Sequence, residues 1–128
     1  MTTFKIVATL FTLLIAASCS NGQNSNALSP DEFAAKIRSM PNAPIVDVRT
    51  PGEYAGGHLP KATNIDWNSS TFMQAIAQYD KKKPVFVYCL AGSRSAAAAS
   101  AMRSAGFKQV YEMAGGIRGW KGQVTSDK

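Results

Sequence analysis

The sequence predicts one α/β domain built on a mostly parallel sheet with helices on both faces. Short apolar runs alternate with helical patterns along most of the chain, which is typical of parallel strands joined by crossover helices. The 128 residues allow one compact domain and are too few for two of ordinary size. A hydrophobic fraction of 45% with 17% charged residues excludes a disordered or fibrous chain.

The start of the chain differs from the rest and predicts an export signal. A short basic stretch, residues 1–5, precedes an almost wholly apolar run over residues 6–17. That run is shorter than the roughly 18 residues that a spanning helix needs, and small residues at 16–18 end it, as a signal peptidase prefers. We therefore expect a signal peptide over residues 1–18, with a retained membrane anchor as the less favoured alternative.

Cys19 follows this segment in a context that resembles the lipobox of bacterial lipoproteins, where a small residue precedes a cysteine that becomes lipidated and N-terminal. Residues 14–19 read Leu-Ile-Ala-Ala-Ser-Cys. Ala16 stands where leucine is commoner, so ordinary cleavage to a soluble exported protein stays open. The resemblance implies lipidation of Cys19 and a place in the cell envelope of a bacterium, either periplasmic or anchored to a membrane.

A flexible linker is predicted over residues 19–26, because this stretch is polar and has no periodicity. The folded domain is then expected over residues 27–124, with a polar tail at 125–128. Removing Lys5 with the signal leaves 13 basic and 8 acidic residues, a net charge of +5. The densest basic run, residues 81–83, lacks the interleaved aromatic residues of a nucleic-acid platform, so no nucleic-acid partner is expected.

The domain is predicted to open with a helix followed by a buried strand. Residues 29–32 have the form of a capping box with proline at the first helical position, which predicts a helix that ends before Pro41. Residues 45–48 are a short apolar run between a proline and a Thr-Pro-Gly turn, which predicts a buried strand. Residues 62–65 are a weaker strand candidate.

The second half of the chain repeats this alternation of helices and strands. The predicted elements are a helix over residues 69–79, a strand over 84–89, a helix over 93–105, a strand over 109–113 and a short helix at 115–120. The strand over 84–89 is the clearest central strand. The helix after it is rich in alanine, which allows close packing on a sheet, and Gly106 stands where a helix commonly ends.

Cys89 ends the predicted central strand and is the candidate nucleophile. In open α/β sheets, ligands lie at the carboxyl ends of strands, where a loop and a helix N-terminus aim backbone N–H groups at them. The loop and the start of that helix consist of Leu90, Ala91, Gly92, Ser93, Arg94 and Ser95. Gly92 allows the tight path that such an anion-binding loop needs.

Arg94 is the candidate electrostatic partner of Cys89. A cysteine of ordinary pKa, about 8.5, is mostly protonated at neutral pH, whereas helix N-termini and nearby arginines lower that pKa to roughly 3.5–7.5. We therefore expect a Cys89 thiolate, with Arg94 also holding an anionic donor. The structural alternatives are a buried core thiol, and an Arg94 that only pairs with a surface carboxylate. If Cys19 carries lipid, Cys89 lacks a disulfide partner in an oxidising compartment, which favours a reactive thiol.

Three separated pieces of the chain together resemble the rhodanese family. They are residues 45–65, the loop at 88–95 and the closing segment at 115–120, in the family's order. The resemblance implies a central five-stranded parallel sheet flanked by helices on both faces, and a sulfurtransferase that forms a persulfide on Cys89. Its partners would be a small anionic sulfur donor such as thiosulfate and a thiol or protein-dithiol acceptor, with no cofactor. Lys61, at a surface position, departs from the glycine that many members have.

Two other functions stay open at this point. The rhodanese fold is shared with cell-cycle tyrosine phosphatases and some arsenate reductases, but four residues separate Cys89 from Arg94 here, one fewer than in the phosphatase loop. The shorter loop favours sulfur over phosphate. A non-catalytic binding module is the other alternative, and the presence of Cys89 removes its main support, although a fold alone proves no activity.

The remaining polar residues are expected to be structural. His58 is expected in a turn, and Asp47 in a cap or in an ion pair with Arg49. Glu53 is expected to pair with Arg49 across one turn. Trp120 is expected in the core. The chain contains no cluster with metal-ligand spacing, so no metal is predicted.

Overall fold

The structure, a computed structural model, describes residues 26–126. Five strands form one sheet: β1 (Ala27–Leu28), β2 (Ile45–Asp47), β3 (Ala62–Asn64), β4 (Val85–Tyr88) and β5 (Val110–Met113). The helices are α1 (Pro30–Ser39), α2 (Pro51–Gly56), α3 (Phe72–Ile76), α4 (Ser93–Ser104) and the 3-10 helix η1 (Gly116–Gly119). Every strand pairing is parallel, in the order β1-β5-β4-β2-β3, which confirms the predicted five-stranded parallel sheet.

Helices cover both faces of the sheet, and the central strands are therefore buried on both sides. Helices α3 and α4 cover one face, where alternate strand residues such as Val46 and Val87 pack against Met102. Helix α1 and η1 cover the other face, where Phe33 and Phe86 belong to a second cluster. Full burial of such side chains contributes about 1.5–3 kcal/mol each, so the two clusters hold the strand ends in register.

Two capping boxes start the first two helices. The Ser29 hydroxyl accepts a hydrogen bond from the Glu32 N–H, and the Glu32 carboxylate accepts one from the Ser29 N–H, which confirms the predicted start of α1. Thr50 and Glu53 form the same reciprocal pair at the start of α2. Helix α2 was missed, because the Thr-Pro-Gly sequence there was interpreted as a turn; the proline occupies the first helical position instead.

Three further differences have local physical reasons. Strand β1 has only two residues and no periodicity of its own; pairing with β5, Leu28 beside Met113, creates it. Helix α3 is shorter than the predicted 69–79, because the chain continues in tighter turns such as the Tyr79 N–H bond to the Ile76 carbonyl, 3.2 Å. None of the helices within residues 26–126 has the length and apolar content that crossing a membrane requires.

The loop before β3 has two notable features, a positive φ angle at Lys61 and a backbone pairing with Thr125. Lys61 has a φ of 67°, the one positive value at a non-glycine residue in the described part of the chain. Glycine adopts this conformation freely, which explains its frequency at this position in the family that the sequence resembles. His58 and Thr125 exchange backbone hydrogen bonds of 2.8 and 2.9 Å, so the first residue of the predicted tail pairs with the loop before β3.

The predicted signal peptide, Cys19 and the linker up to residue 25 lie outside the described residues.

Candidate active site

Cys89 directly follows β4, at the edge of the sheet where the strands end, and is 1% exposed. Its Sγ accepts a hydrogen bond from the Gly92 N–H with a distance of 3.0 Å. The thiol lies 3.4 Å from the Ser95 hydroxyl, to which it donates, and that hydroxyl donates to the Gly92 carbonyl at 3.1 Å. The loop and the first turn of α4 therefore enclose the sulfur with polar groups.

Helix α4 begins at Ser93, with Gly92 as its N-cap. The predicted helix over residues 93–105 therefore starts where the sequence analysis expects it, and Ser93, Arg94 and Ser95 form its first turn. The N–H groups of a first turn have no partner inside their helix and can bind an anion. Gly92 has a φ of 107°, and a Cβ there would lie 3.2 Å from the Gly115 nitrogen, so the tight path expected at this glycine is present.

The pKa of the Cys89 thiol reflects two opposing effects. Burial raises that pKa, but the hydrogen bonds that the sulfur makes with the Ser95 side chain and with the backbone at Ser95, Gly92 and Ala91 outweigh burial, so the net pKa is lowered. A cysteine in purely apolar surroundings would have a raised pKa. The loop thus favours the thiolate, which is the reactive form of cysteine.

Arg94 forms a forked ion pair with Glu53. Its Nη1 lies 2.7 Å from Oε1, and its Nη2 lies 3.0 Å from Oε2. The hydrogen bonds from Arg94 are the largest cause that lowers the pKa of Glu53 from 4.5 to about 2. The pKa of Arg94 is raised, first by Glu53 and to a smaller extent by the charge of Cys89. Pairing with a carboxylate is what the structural alternative for Arg94 predicts. A role of Arg94 in holding an anionic sulfur donor stays a prediction.

Glu53 is a site residue that the sequence analysis assigned to the wrong partner. Its carboxylate accepts hydrogen bonds from the Thr50 N–H and hydroxyl, at 3.3 and 3.1 Å, and so links the start of α2 to Arg94. Arg49 pairs instead with Asp47, Nη2 to Oδ2 at 2.6 Å, and both side chains are buried. The expected Asp47 pair is confirmed. The Thr50 capping box was the signal that Glu53 turns back toward its own helix start.

The closing segment, defined as residues 115–120, holds the carbonyl side of the loop. The Ile117 N–H donates to the Cys89 carbonyl at 2.9 Å, and the Arg118 N–H donates to the Leu90 carbonyl at 3.2 Å. In a trans peptide the C=O and the next N–H point in opposite directions. These bonds therefore turn the N–H groups of Leu90 and Ala91 away from the closing segment and toward the interior of the loop.

Gly116 makes this close approach feasible, and the sequence analysis missed it. Its φ is 65°, and a Cβ built there would lie 2.3 Å from the Leu90 carbonyl oxygen, which no side chain tolerates. Gly115 also has a positive φ, 74°, but a Cβ on Gly115 would meet nothing within 4 Å. The paired glycines at 115 and 116 were the available signal, because adjacent glycines mark backbone that must approach other backbone.

The other singled-out residues lie in structural positions. His58 is 3% exposed, stacks on the Tyr54 ring at 3.7 Å between centroids, and has its Nδ1 2.8 Å from the Tyr54 carbonyl. Trp120 packs edge-on against Phe33 at 6.5 Å, in the core cluster of the α1 face. Within residues 26–126, no three His, Cys, Asp or Glu side chains are grouped so that they could hold a metal ion.

Comparison with known proteins identifies the family behind this geometry. A family model described as rhodanese-like domain matches residues 29–123, which span the sheet, the Cys89 loop and the closing segment. The protein belongs to the rhodanese-like domain family. In this rhodanese-like domain, as the sequence predicts, Cys89 directly follows the central strand β4.

Relatives of this rhodanese-like domain include named enzymes. The chain is 34% identical over 98 residues to thiosulfate sulfurtransferase GlpE of Pseudomonas putida, covering 77% of this chain and 87% of that enzyme. It is 32% identical over 123 residues to YqhL of Bacillus subtilis, covering 96% of this chain and 94% of YqhL. The crystal structure of a rhodanese-like domain protein from Staphylococcus aureus superposes with a TM-score of 0.70 at 25% identity, over 80% of this chain and 98% of that one.

Proposed function

We propose that this rhodanese-like domain is a sulfurtransferase that carries sulfane sulfur as a persulfide on Cys89. The observation that carries the proposal is the set of donors around one sulfur atom: the Gly92 N–H at 3.0 Å, with the backbone at Ala91 and Ser95, which lower the pKa of the thiol. The similarity to thiosulfate sulfurtransferase GlpE supports thiosulfate as the kind of donor.

In the first step the Cys89 thiolate attacks the outer sulfur of thiosulfate. A sulfur–sulfur bond forms to Cys89 as the bond to the sulfonate sulfur breaks, and sulfite leaves with that electron pair. The departing sulfite takes up the charge of the attacking thiolate, and the outer sulfur of the new persulfide carries a negative charge. Backbone N–H groups already aimed at the loop interior stabilise this charge without reorganisation, which is most effective in a site that excludes water.

In the second step a thiophilic acceptor attacks the outer sulfur of the persulfide. With cyanide the new carbon–sulfur bond gives thiocyanate, and the electron pair of the broken sulfur–sulfur bond restores the Cys89 thiolate. A small thiol or a protein dithiol would take the sulfur in the same way. Each step exchanges one bond to the sulfane sulfur for another, so neither step needs an external oxidant or reductant.

Mass spectrometry of the intact protein tests the proposal. After incubation with thiosulfate and removal of the excess, we expect the mass of one additional sulfur atom on the wild type and none on Cys89→Ser. Cyanide should remove that mass and release about one thiocyanate per protein. An unmodified wild type whose thiol also fails to react with an alkylating reagent would contradict the proposal and favour a non-catalytic binding module.

A phosphatase or arsenate reductase is the less favoured alternative. The loop directs backbone N–H groups at one site at the end of a strand, as such enzymes require, but Ser95 stands where their longer loop has arginine, and Arg94 is bound to Glu53. Turnover of an aryl phosphate by the wild type, with no persulfide formed from thiosulfate, would reverse this order.

We further propose that the protein is exported and that Cys19 carries lipid, in the cell envelope of a bacterium. The support is the Ala-Ala-Ser-Cys junction after a short apolar segment. Seven linker residues, 20–26, reach at most about 25 Å when extended, so the domain would work close to a membrane surface. A Cys19→Ala protein that fractionates and is processed like the wild type would contradict the proposed lipid anchor. The proposed sulfur chemistry would be unaffected by that result.

A further inference from the structure

Charged side chains are distributed unequally between the two ends of the sheet. We call the side where the strands begin the amino edge and the side where they end the carboxyl edge. Six exposed basic residues lie at the amino edge, in the turns that lead into strands or at the end of α1: Arg38, Lys61, Lys81, Lys82, Lys83 and Lys108. Asp80 is the one acidic residue in those same turns.

The basic residues of the amino edge form one surface rather than scattered charges. The Lys108 N–H donates to the Lys81 carbonyl at 2.9 Å, which joins the turns before β4 and β5. Within the part of the chain that the structure describes, none of the six takes part in an ion pair. Their charges are therefore available to an anionic partner.

Two apolar grooves open between these basic residues. One, of about 470 Å³, is lined by Ile37, Leu59 and Trp120 together with Arg38 and Lys61. The second, of about 340 Å³, is lined by residues 40–44 together with Lys83 and Pro84. A surface that combines apolar grooves with a cationic rim suits an amphiphile with an anionic head, because such a partner satisfies both features together.

The course of the chain places the start of β1 at this same edge. All strands are parallel, so β1 begins at the amino edge, as do β4 and β5. Residues 19–26 lead directly into β1. Cys89 follows the end of β4 and therefore lies at the carboxyl edge, where Arg49 and Arg94 are both paired with carboxylates.

We propose that the amino edge rests on a bilayer surface rich in anionic phospholipid and that the Cys89 loop faces away from that surface. The proposal rests on the proposed envelope location for its setting. Each basic residue close to an anionic bilayer strengthens binding by about five-fold, and a lipid chain combined with a polybasic patch gives stable attachment where one signal alone does not. This orientation leaves the active loop open to donors and acceptors from solution.

Vesicle binding tests the surface. The full chain is mixed with vesicles of phosphatidylcholine alone or with about one third phosphatidylglycerol. The difference between the two isolates the charge effect from apolar binding, which is common to all variants. We expect wild type to prefer the anionic vesicles, with the preference falling as salt is added. The triple variant Lys82→Gln, Lys83→Gln, Lys108→Gln should bind them about 100-fold more weakly.

A matched control removes the same charge elsewhere. The variant Gln74→Glu, Ala97→Glu, Ser100→Glu also lowers the net charge by three, at exposed helix positions between the two edges. It should lose far less binding than the lysine variant. Equal loss in both variants, or no preference of wild type for anionic vesicles, would overturn the proposal. Lysine-dependent binding of a polyglutamate peptide without vesicle binding would also overturn it and would indicate an acidic protein partner.

The two tryptophans report the orientation. Trp120 lines the larger groove, and Trp67 follows the end of β3 at the carboxyl edge. With anionic vesicles that carry brominated acyl chains, the Trp67→Phe protein, which keeps Trp120, should be quenched more than the Trp120→Phe protein. The opposite order of quenching would overturn the orientation. Persulfide formation without vesicles tests the sulfur chemistry separately, so failure of either proposal can be distinguished from failure of the other.

Discussion

The two edges of one sheet use positive charge in opposite ways. At the carboxyl edge Arg49 is bound to Asp47 and Arg94 to Glu53, Arg118 is exposed beside the loop, and backbone N–H groups surround the sulfur. At the amino edge the basic side chains are exposed and project from turns. Fixed backbone dipoles suit a reacting atom, because they need no rearrangement when charge develops. Flexible lysines suit a broad surface, where many weak contacts add up.

Replacement of the sulfur should have the largest effect. Cys89→Ser should lower the thiosulfate-to-cyanide transfer rate by roughly 10⁴-fold or more, to the background rate, because the nucleophile is lost. The free energy of unfolding should change by less than about 1 kcal/mol, since serine nearly preserves the volume. Lys83→Gln, at the amino edge, should retain the wild-type rate in the same assay. A fall in both variants would contradict the separation of the two edges.

The closing segment should matter next, and two neighbouring glycines separate its effects. Gly115→Ala and Gly116→Ala both place alanine at a positive φ, which costs about 1–2 kcal/mol of stability. Only Gly116→Ala also displaces the Leu90 carbonyl. It should therefore raise the pKa of the Cys89 thiol and lower kcat/KM for thiosulfate about 10-fold, because N–H groups turn away from the sulfur.

Alkylation rates across pH measure the thiol pKa in both glycine variants. The midpoint should shift to higher pH in Gly116→Ala and stay near the wild-type value in Gly115→Ala. Identical midpoints in the two variants would mean that the closing segment contributes stability only.

The Arg94 pair should have a smaller effect, with opposite signs for its two members. Arg94→Ala should raise the pKa of the thiol and raise KM for thiosulfate a few-fold, because a nearby positive charge is lost. Glu53→Gln should lower that KM, since Arg94 is then free to meet the anionic donor. Arg94→Lys should recover part of the charge effect without the forked geometry. Steady-state kinetics measure KM for thiosulfate in each variant. A change of KM in the same direction in Arg94→Ala and Glu53→Gln would mean that the ion pair is only structural.

The same pair predicts a modest pH dependence of stability. The pKa of Glu53 is lowered from 4.5 to about 2 in the folded protein, so its contribution is present above pH 4.5 and is lost as the pH falls toward 2. Urea unfolding of the wild type and of Glu53→Gln should differ by about 1 kcal/mol at neutral pH, and the difference should vanish near pH 2. A constant difference across that range would assign the effect to the α2 cap rather than to the charge.

The smallest effect is expected at the amino edge. Lys61 has a φ of 67°, which glycine adopts without strain. Because glycine also loses more entropy on folding, Lys61→Gly should stabilise the protein by only roughly 0.5 kcal/mol. Thermal unfolding measures this change, and the transfer rate should stay at the wild-type value. A clear loss of activity would mean that the two edges communicate.

Local patterns in the sequence predicted most of the fold. The alternation of apolar runs with helical stretches predicted the parallel sheet, and the Ser29 capping box predicted the start of α1. The same box at Thr50 was overlooked, so α2 was missed although its signal was present. Strand β1 could not be predicted, because two residues have no period and form a strand only beside β5.

Local chain order was enough to identify the candidate nucleophile, because Cys89 ends the clearest strand and precedes a glycine-containing loop and a helix. The groups that surround Cys89 depend instead on the packing of distant parts of the chain. Arg94 meets Glu53 from 41 residues away, and Gly116 meets Leu90 across the closing segment. Such contacts depend on how separate helices and loops pack on the sheet, and no local pattern specifies that packing. For the same reason, the gathering of the basic turns at one edge became evident only when the strands proved parallel.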